Sequence, residues 1–417
     1  MEQGPAVPAY VLRGHEVPIH ALAFYAGNTF LISGDSDGWL VIWSLSSKRP
    51  VAVWKGHEAG VLQIKDWTNH RLVSHGRDHK LRVWQVRLED LSSLSTKLPT
   101  EASGSIADQP QPWLLHSMSV SALNFCAFSM CEEPYQEASV QDATPQVLAF
   151  PNGLDSGGID IFQLPSEKRL SQIKSDKDSP TGMVMAISIF HQKDESSLRL
   201  VVVSGYEDGR VMIHVHQGDP SNPEQTNRWQ RLMSSKPHSQ PVLSLELLPS
   251  RTHFLTSSAD ATIAKFPLPS PSGTAAPEPQ PEKSVNTKHA GQQCLSVRSD
   301  GKIFATAGWD GRVRVYSCKT LKGLAVLKWH KVGVYSTAFA IVTDSDGDGD
   351  GGRIQSNESA KTREASSDGT SMSKSTEITR GINALDLIKE QRESKARRTH
   401  WLAAGGKDGK ISLWDIY

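Results

Sequence analysis

His57, Ser74 and Asp78 are the three side-chain types from which a hydrolase assembles a general base, a nucleophile and an orienting acid. Their separations mean that each must come from a different element, so only a fold could bring them together. A fourth landmark argues against catalysis. Trp84 follows Asp78 by six residues, and an indole N–H, a donor only, has no part in such a triad. The same four types recur at His15, Ser33, Asp37 and Trp43, with a His-to-Trp spacing of 28 against 27 in the other unit. Nucleophiles are not normally copied along a chain, whereas structural hydrogen-bond chains are. The constellation therefore reads as a buried relay from Asp through His and hydroxyl to indole, in which each polar atom finds a partner.

The elements that must position the relay are short strands. Around the landmarks, Val61, Leu62 and Ile64, then Leu72 and Val73, then Leu81 and Val83 alternate in the manner of half-buried strands. Pro50 to Lys55 supplies one more, just before Gly56-His57. Further units follow at Ser204, Asp208 and His214; at His238, Thr256, Asp260 and Phe266; and at His289, Thr306, Asp310 and Tyr316. In each, the Asp lies four residues after the hydroxyl and six before the closing ring. A weaker unit spans His116 to Phe162, turning through Asp155-Ser156-Gly157-Gly158, and the last runs from His330 to Ala404, Asp408 and Trp414. Where Phe266, Tyr316 or His214 stands for Trp, or Ala404 for the hydroxyl, packing is expected to replace the relay.

A repeat of about 40 to 45 residues carrying Gly-His and Trp-Asp landmarks is the signature of a WD-repeat β-propeller. The expected fold is all-β: one seven-bladed propeller over residues 9–417. Its blades fall near 14–55, 56–88, 113–172, 181–232, 238–268, 289–328 and 330–417, the last taking in 9–13. Ala9 to Arg13 stands before the first unit while the last stops at its third strand. The N-terminal strand should thus complete the last blade and close the ring, removing an exposed edge.

Segments 89–112, 131–145, 269–288 and 343–397 read as disordered or loop insertions, rich in Ser, Thr, Pro or charge. The last opens with Asp344, Asp346, Asp348 and Gly349, at the spacing of a calcium loop, but its twelfth position is Gln355 where a bidentate Glu is needed. Gly381 to Arg392 carries Ile382, Leu385 and Ile388 at helical spacing, as a short helix or partner-docking segment, and Lys395, Arg397 and Arg398 form a basic cluster. Cys126 and Cys131 have no second close Cys/His pair to make a zinc site, and the four cysteines suit a reducing compartment. Forty-five basic against 45 acidic residues leave no net charge to hold nucleic acid, and neither a signal peptide nor an 18-residue apolar run is present. A soluble, intracellular protein with no direct nucleic-acid or membrane partner is expected.

No phosphate-binding glycine loop, HExxH or Cys-x-x-C motif occurs. No catalytic, cofactor or metal residues are assigned, and function should come from surfaces. The residue before each turn Asp is displayed on one face: Ser36, Arg77, Glu207, Ala259, Trp309 and Lys407. Exposed Trp and Arg are the side chains that dominate interface energetics. Arg77 and Trp309 are the first candidates for partner contact, followed by Tyr206, Glu207 and Lys407.

The stretches GDSDGWLVIW (Gly34 to Trp43), KRPVAVWKGHE (Lys48 to Glu58), HGRDHKLRVWQ (His75 to Gln85), LDSGGIDIF (Leu154 to Phe162), AGWDGRVRVY (Ala307 to Tyr316) and KDGKISLWDIY (Lys407 to Tyr417) resemble the fungal ASTRA-associated protein 1 family. That family is related to the G-protein beta-subunit-like proteins. The resemblance implies a nuclear, non-catalytic scaffold subunit of an ASTRA-like assembly. It further implies a link to chromatin remodelling and to the co-chaperones that mature phosphatidylinositol-3-kinase-related kinases, with kinase-related and co-chaperone proteins as partners. Two other readings are a peptide or histone-tail reader using the propeller channel, and a G-protein beta-like signalling subunit. The first needs an aromatic or acidic cage at the channel mouth. The second favours an N-terminal coiled coil, for which about a dozen residues precede Gly14-His15.

Overall fold

Six- and seven-residue alternating segments broken by Gly, Asp and Pro form antiparallel strands, because side chains on a strand point alternately to its two faces. Among the described residues of the computed structural model, 28 strands build seven sheets of four. The structure describes residues 6–67, 70–101, 109–121, 126–134, 144–176, 180–193, 198–218, 228–270, 279–342 and 384–416. Six blades take four consecutive strands each, and the innermost strands touch those of adjacent blades, so the sheets form a ring.

The seventh sheet closes it. Tyr10–Arg13 pairs antiparallel with Lys410–Asp415, Tyr10 opposite Leu413 and Arg13 opposite Lys410. Leu12, 2% exposed, enters a cluster with Ile411, Leu413, Ile19 and Trp43 that joins blade 7 to blade 1. Burying such a leucine contributes about 1.5–3 kcal/mol. Ring closure thus rests on four residues that have a backbone ladder on one side and an apolar anchor beneath.

The core is not one cluster but seven, each shared by two neighbouring blades. A blade's two faces are therefore both buried, which explains third strands such as Trp39–Ser44 that are buried at every position and read as continuous apolar runs.

Several segments lie elsewhere than the sequence suggests. Trp113–Ser119 is the outer strand of blade 2, paired with Lys80–Gln85, and does not open blade 3. His116 accordingly sits on that strand and bonds Glu167 at 2.8 Å instead of acting as a loop histidine. Segment 89–112 interrupts blade 2 before its last strand. Its described part is ordered: Leu91 is buried in the cluster between blades 1 and 2, and Ser95 O accepts the Val53 N–H at blade 1's outer edge. Lys283–Asn286, within 269–288, is the outer strand of blade 5. Ser129–Glu132, overlapping the start of 131–145, is the innermost strand of blade 3.

In the last insertion Ala384–Arg398 is a helix that runs past Arg392. Its C-terminal end is pinned: Ala396 is buried, Trp401 Nε1 donates to Ala396 O at 2.9 Å, and Asn28 Nδ2 of blade 1 donates to Arg397 O at 3.2 Å. Arg397 of the basic cluster bonds Thr29 Oγ1 at 3.0 Å. Leu387 and Ile388 face solvent. The acidic run from Asp344 to Gln355 lies outside the described residues, as do Ile382 and residues 135–143.

Candidate interaction site

The relay comes first, since it holds the displayed turns. In blade 2, His57 Nε2 meets Ser74 Oγ at 2.7 Å, His57 Nδ1 meets Asp78 Oδ1 at 2.9 Å, and Trp84 Nε1 donates to Ser74 Oγ at 2.8 Å. Arg82 adds a charge-assisted bond to Asp78 at 2.6 Å. Burial opposes the Asp78 charge. The bonds from His57, Arg82 and the Glu58 N–H outweigh it and hold the carboxyl well below the usual carboxylate range. Burial lowers the His57 pKa, only partly offset by Asp78, so the imidazole stays neutral beside an ionised Asp. Ser74 has no accessible surface. Its oxygen is occupied by an imidazole and an indole, so no substrate reaches it.

Blade 1 departs from the spacing rule. His15 Nδ1 bonds Asp35 Oδ2 at 2.7 Å, not Asp37, while Nε2 meets Ser33 at 2.7 Å and Trp43 donates to Ser33 at 2.8 Å. Asp35 lies two residues after Ser33 on one strand, hence on the same face. Its other oxygen accepts the turn N–H groups of Asp37 and Trp39, each at 3.0 Å. Asp37 is left exposed. Blade 2 has Gly76 at this position, and a Cβ there would lie 2.2 Å from His57 Nδ1 and 2.5 Å from Asp78 Oδ1. A carboxylate can reach the histidine from two residues past the hydroxyl, as Asp35 does, or from four, as Asp78 does beside Gly76.

Blade 7 also corrects the reading. Ala404 supplies no hydroxyl, but Ser412, directly opposite it on the next strand, does. His330 Nε2 and Trp414 Nε1 each lie 2.9 Å from Ser412 Oγ. The relay has moved one strand outward and survives. In blade 5 His238 reaches Thr256 at 2.9 Å and Asp260 at 3.3 Å, and Phe266 stacks on Phe254 in place of an indole bond. Blade 6 uses Gln292 instead of His289: Thr306 donates to Gln292 Oε1 at 2.6 Å, while His289 is exposed and Asp310 is clamped by Arg314. Blade 4 has no loop histidine, and Ser204 donates to the Tyr206 hydroxyl at 3.1 Å.

This explains one failed surface candidate. Tyr206 is 2% exposed, because two residues before the turn Asp is an inward position. Arg77, Glu207 and Lys407 are exposed, and Trp309 is 49% exposed. Trp309 is held rather than free. Its ring covers Gly291, whose positive φ of 75° and lack of Cβ permit the contact, and Nε1 donates to Gln293 Oε1 at 2.8 Å.

Two residues that sequence reasoning missed link these candidates. In six innermost strands the pairing skips one residue at the turn-bearing end, namely His20, Leu62, Met185, Leu243, Gln293 and Tyr335. Such bulges re-aim a side chain. His20 stacks on Tyr335 with centroids 5.2 Å apart and planes 12° apart. Burial, then the Arg77 charge, lower the His20 pKa. On the other side, a Cβ on Gly333 would lie 3.1 Å from the Tyr335 ring and 3.2 Å from Trp309 O, and Lys407 N donates to Gly333 O at 2.8 Å. Trp309, Tyr335, His20 and Arg77, with Lys407 beside them, form one arc across blades 6, 7, 1 and 2. Glu207, on blade 4, lies off it. The signal was available: in four units the bulged residue stands five after the loop histidine.

Relays that pin turns, and turns and bulges that carry varied aromatic and basic side chains, define a WD-repeat propeller. Comparison with known proteins narrows the class. The model of the family described as ASTRA-associated protein 1 matches residues 8–414. A protein of that name from Penicillium rubens is 47% identical over 445 residues, covering 100% of this chain and 98% of its own length. The one from Aspergillus niger is 47% identical over 442 residues with the same coverage, and that from Schizosaccharomyces pombe 34% identical over 362 residues, 80% of this chain and 93% of its own. The chain belongs to the ASTRA-associated protein 1 family.

Proposed function

We propose that the chain is a non-catalytic scaffold subunit of an ASTRA-like assembly, in the nucleus, serving chromatin remodelling and the maturation of phosphatidylinositol-3-kinase-related kinases, with kinase-related and co-chaperone proteins as its partners. The observation that carries the scaffold reading is the arc from Trp309 through Tyr335 and His20 to Arg77. Trp309, held by Gln293, and the stacked His20 and half-buried Tyr335 have little freedom to lose on binding, and Arg77 beside them adds an exposed guanidinium, the composition of a docking hot spot. The family name supports the choice of assembly.

The test is affinity purification from nuclear extract of three tagged forms: wild type, Arg77→Glu/Trp309→Ala, and Glu207→Lys, all with matched melting curves. Wild type and Glu207→Lys should retain a large kinase-related or co-chaperone assembly that the double variant loses. Retention by all three would move the contact off the arc. A wild-type protein that emerges alone would refute the scaffold role.

A further inference from the structure

A cavity of about 320 Å³ opens between blades 3 and 4, lined among others by Tyr206, His214, Trp229, Arg231, Lys174 and Asp176. It exists because blade 4 lacks the relay. The loop entering this blade carries Pro180-Thr181 where blades 1, 2, 5 and 7 carry histidine, and the third strand carries His214 where blades 1, 2 and 7 carry tryptophan. Two large rings have given way to a threonine and an imidazole. The Tyr206 hydroxyl meets Ser204 in their stead.

The space is chemically furnished. His214 is 8% exposed, yet its Nδ1 has no hydrogen-bond partner. Burying a polar nitrogen unpaired is costly, so a hydrogen-bonding guest that reached Nδ1 would recover that cost. Arg231, directly opposite His214 on the outer strand, is oriented by an ion pair with Asp176. That bond engages one of the five N–H donors of a guanidinium. Lys174 is exposed at the opening. Counting Lys174 and Arg231 against Asp176, the lining carries one net positive charge. Ile173 and Trp229, whose Nε1 is occupied by Ser171 at 2.7 Å, give the apolar wall that a methylene stem would cover.

We propose that this cavity receives a single carboxylate presented by an acidic side chain of a partner protein, with Arg231 as the charged donor and His214 Nδ1–H as the buried one. It is separate from the arc across blades 6, 7, 1 and 2 and does not depend on it. One net positive charge matches a carboxylate better than a doubly charged phosphoryl group, and about 320 Å³ accommodates a side chain rather than a folded segment.

The full chain, labelled at histidine, tests this through the His214 imidazole resonance, assigned by its loss in His214→Gln. Acetyl-glutamyl amide, acetate and inorganic phosphate serve as probes. Acetyl-glutamyl amide should shift the resonance saturably and more tightly than acetate. Arg231→Gln, with an unchanged melting curve, should weaken it about tenfold or more, as loss of a hydrogen bond to a charged group implies. An unmoved resonance, a shift by phosphate alone, or equal affinity in Arg231→Gln would overturn the site. Acetate binding as tightly as the amide would overturn the protein side chain as its source.

Discussion

Ser412→Ala tests the claim that blade 7 keeps its relay by moving the hydroxyl one strand outward. Ser412 Oγ is the common partner of His330 Nε2 and Trp414 Nε1, both at 2.9 Å, and these rings are 5% and 3% exposed. Removing the oxygen leaves two buried polar groups that water cannot reach. Each costs about 1–3 kcal/mol, so the loss should be about 2–6 kcal/mol, far beyond an ordinary Ser-to-Ala change. At about 2.1 cal/mol/K per residue, unfolding entropy for a chain of this length is ~0.9 kcal/mol/K, and the melting temperature should fall by about 2–7 °C. Scanning calorimetry reads this directly. Because Ala404 faces Ser412 across the ladder, Ala404→Ser in the Ser412→Ala background should restore part of the loss. An unchanged melt in the single variant would refute the relocated relay, and a double variant no better than the single would refute the equivalence of the two positions.

In blade 1 the relay carboxylate is Asp35, so Asp35→Asn should cost about 1–3 kcal/mol in denaturant unfolding while Asp37→Asn stays within about 0.5 kcal/mol; the reverse order would restore Asp37 to the relay. Asp78 has a depressed folded pKa, so its stabilisation is fully present above the ordinary carboxylate value near ~4 and is lost as pH falls through the lower folded value. Wild type should therefore lose stability between about pH 5 and 2 more steeply than Asp78→Asn, and parallel urea midpoints across that range would contradict the assignment. Leu12→Asp places a charge in the cluster joining blades 7 and 1 and should destabilise by about 3 kcal/mol or more. It should also expose the outer edge of blade 7 to self-association, and an unaltered melt with monodisperse light scattering would show that the ring does not depend on this strand.

Local information was enough for the repeat, the number of blades and the closing strand, since strand alternation and turn chemistry are set within a few residues. The relays of blades 2 and 5 were legible for the same reason: His57, Ser74 and Asp78, like His238, Thr256 and Asp260, recur at fixed spacing around one hairpin. Spacing could not tell which of two carboxylates, Asp35 or Asp37, would reach His15. In the folded blade it is Asp35 that reaches the imidazole, from two residues past Ser33 on the same strand face. Nor could it place Ser412, because register across a ladder brings a residue eight positions away opposite Ala404. Tyr206 was misread as surface for lack of the face on which its strand position points. The arc linking Trp309 to Arg77 and the cavity left by the missing rings of blade 4 belong to tertiary structure alone. Both join residues from different blades, which come together only when neighbouring blades pack, and for His20 and Tyr335 only when the ring closes.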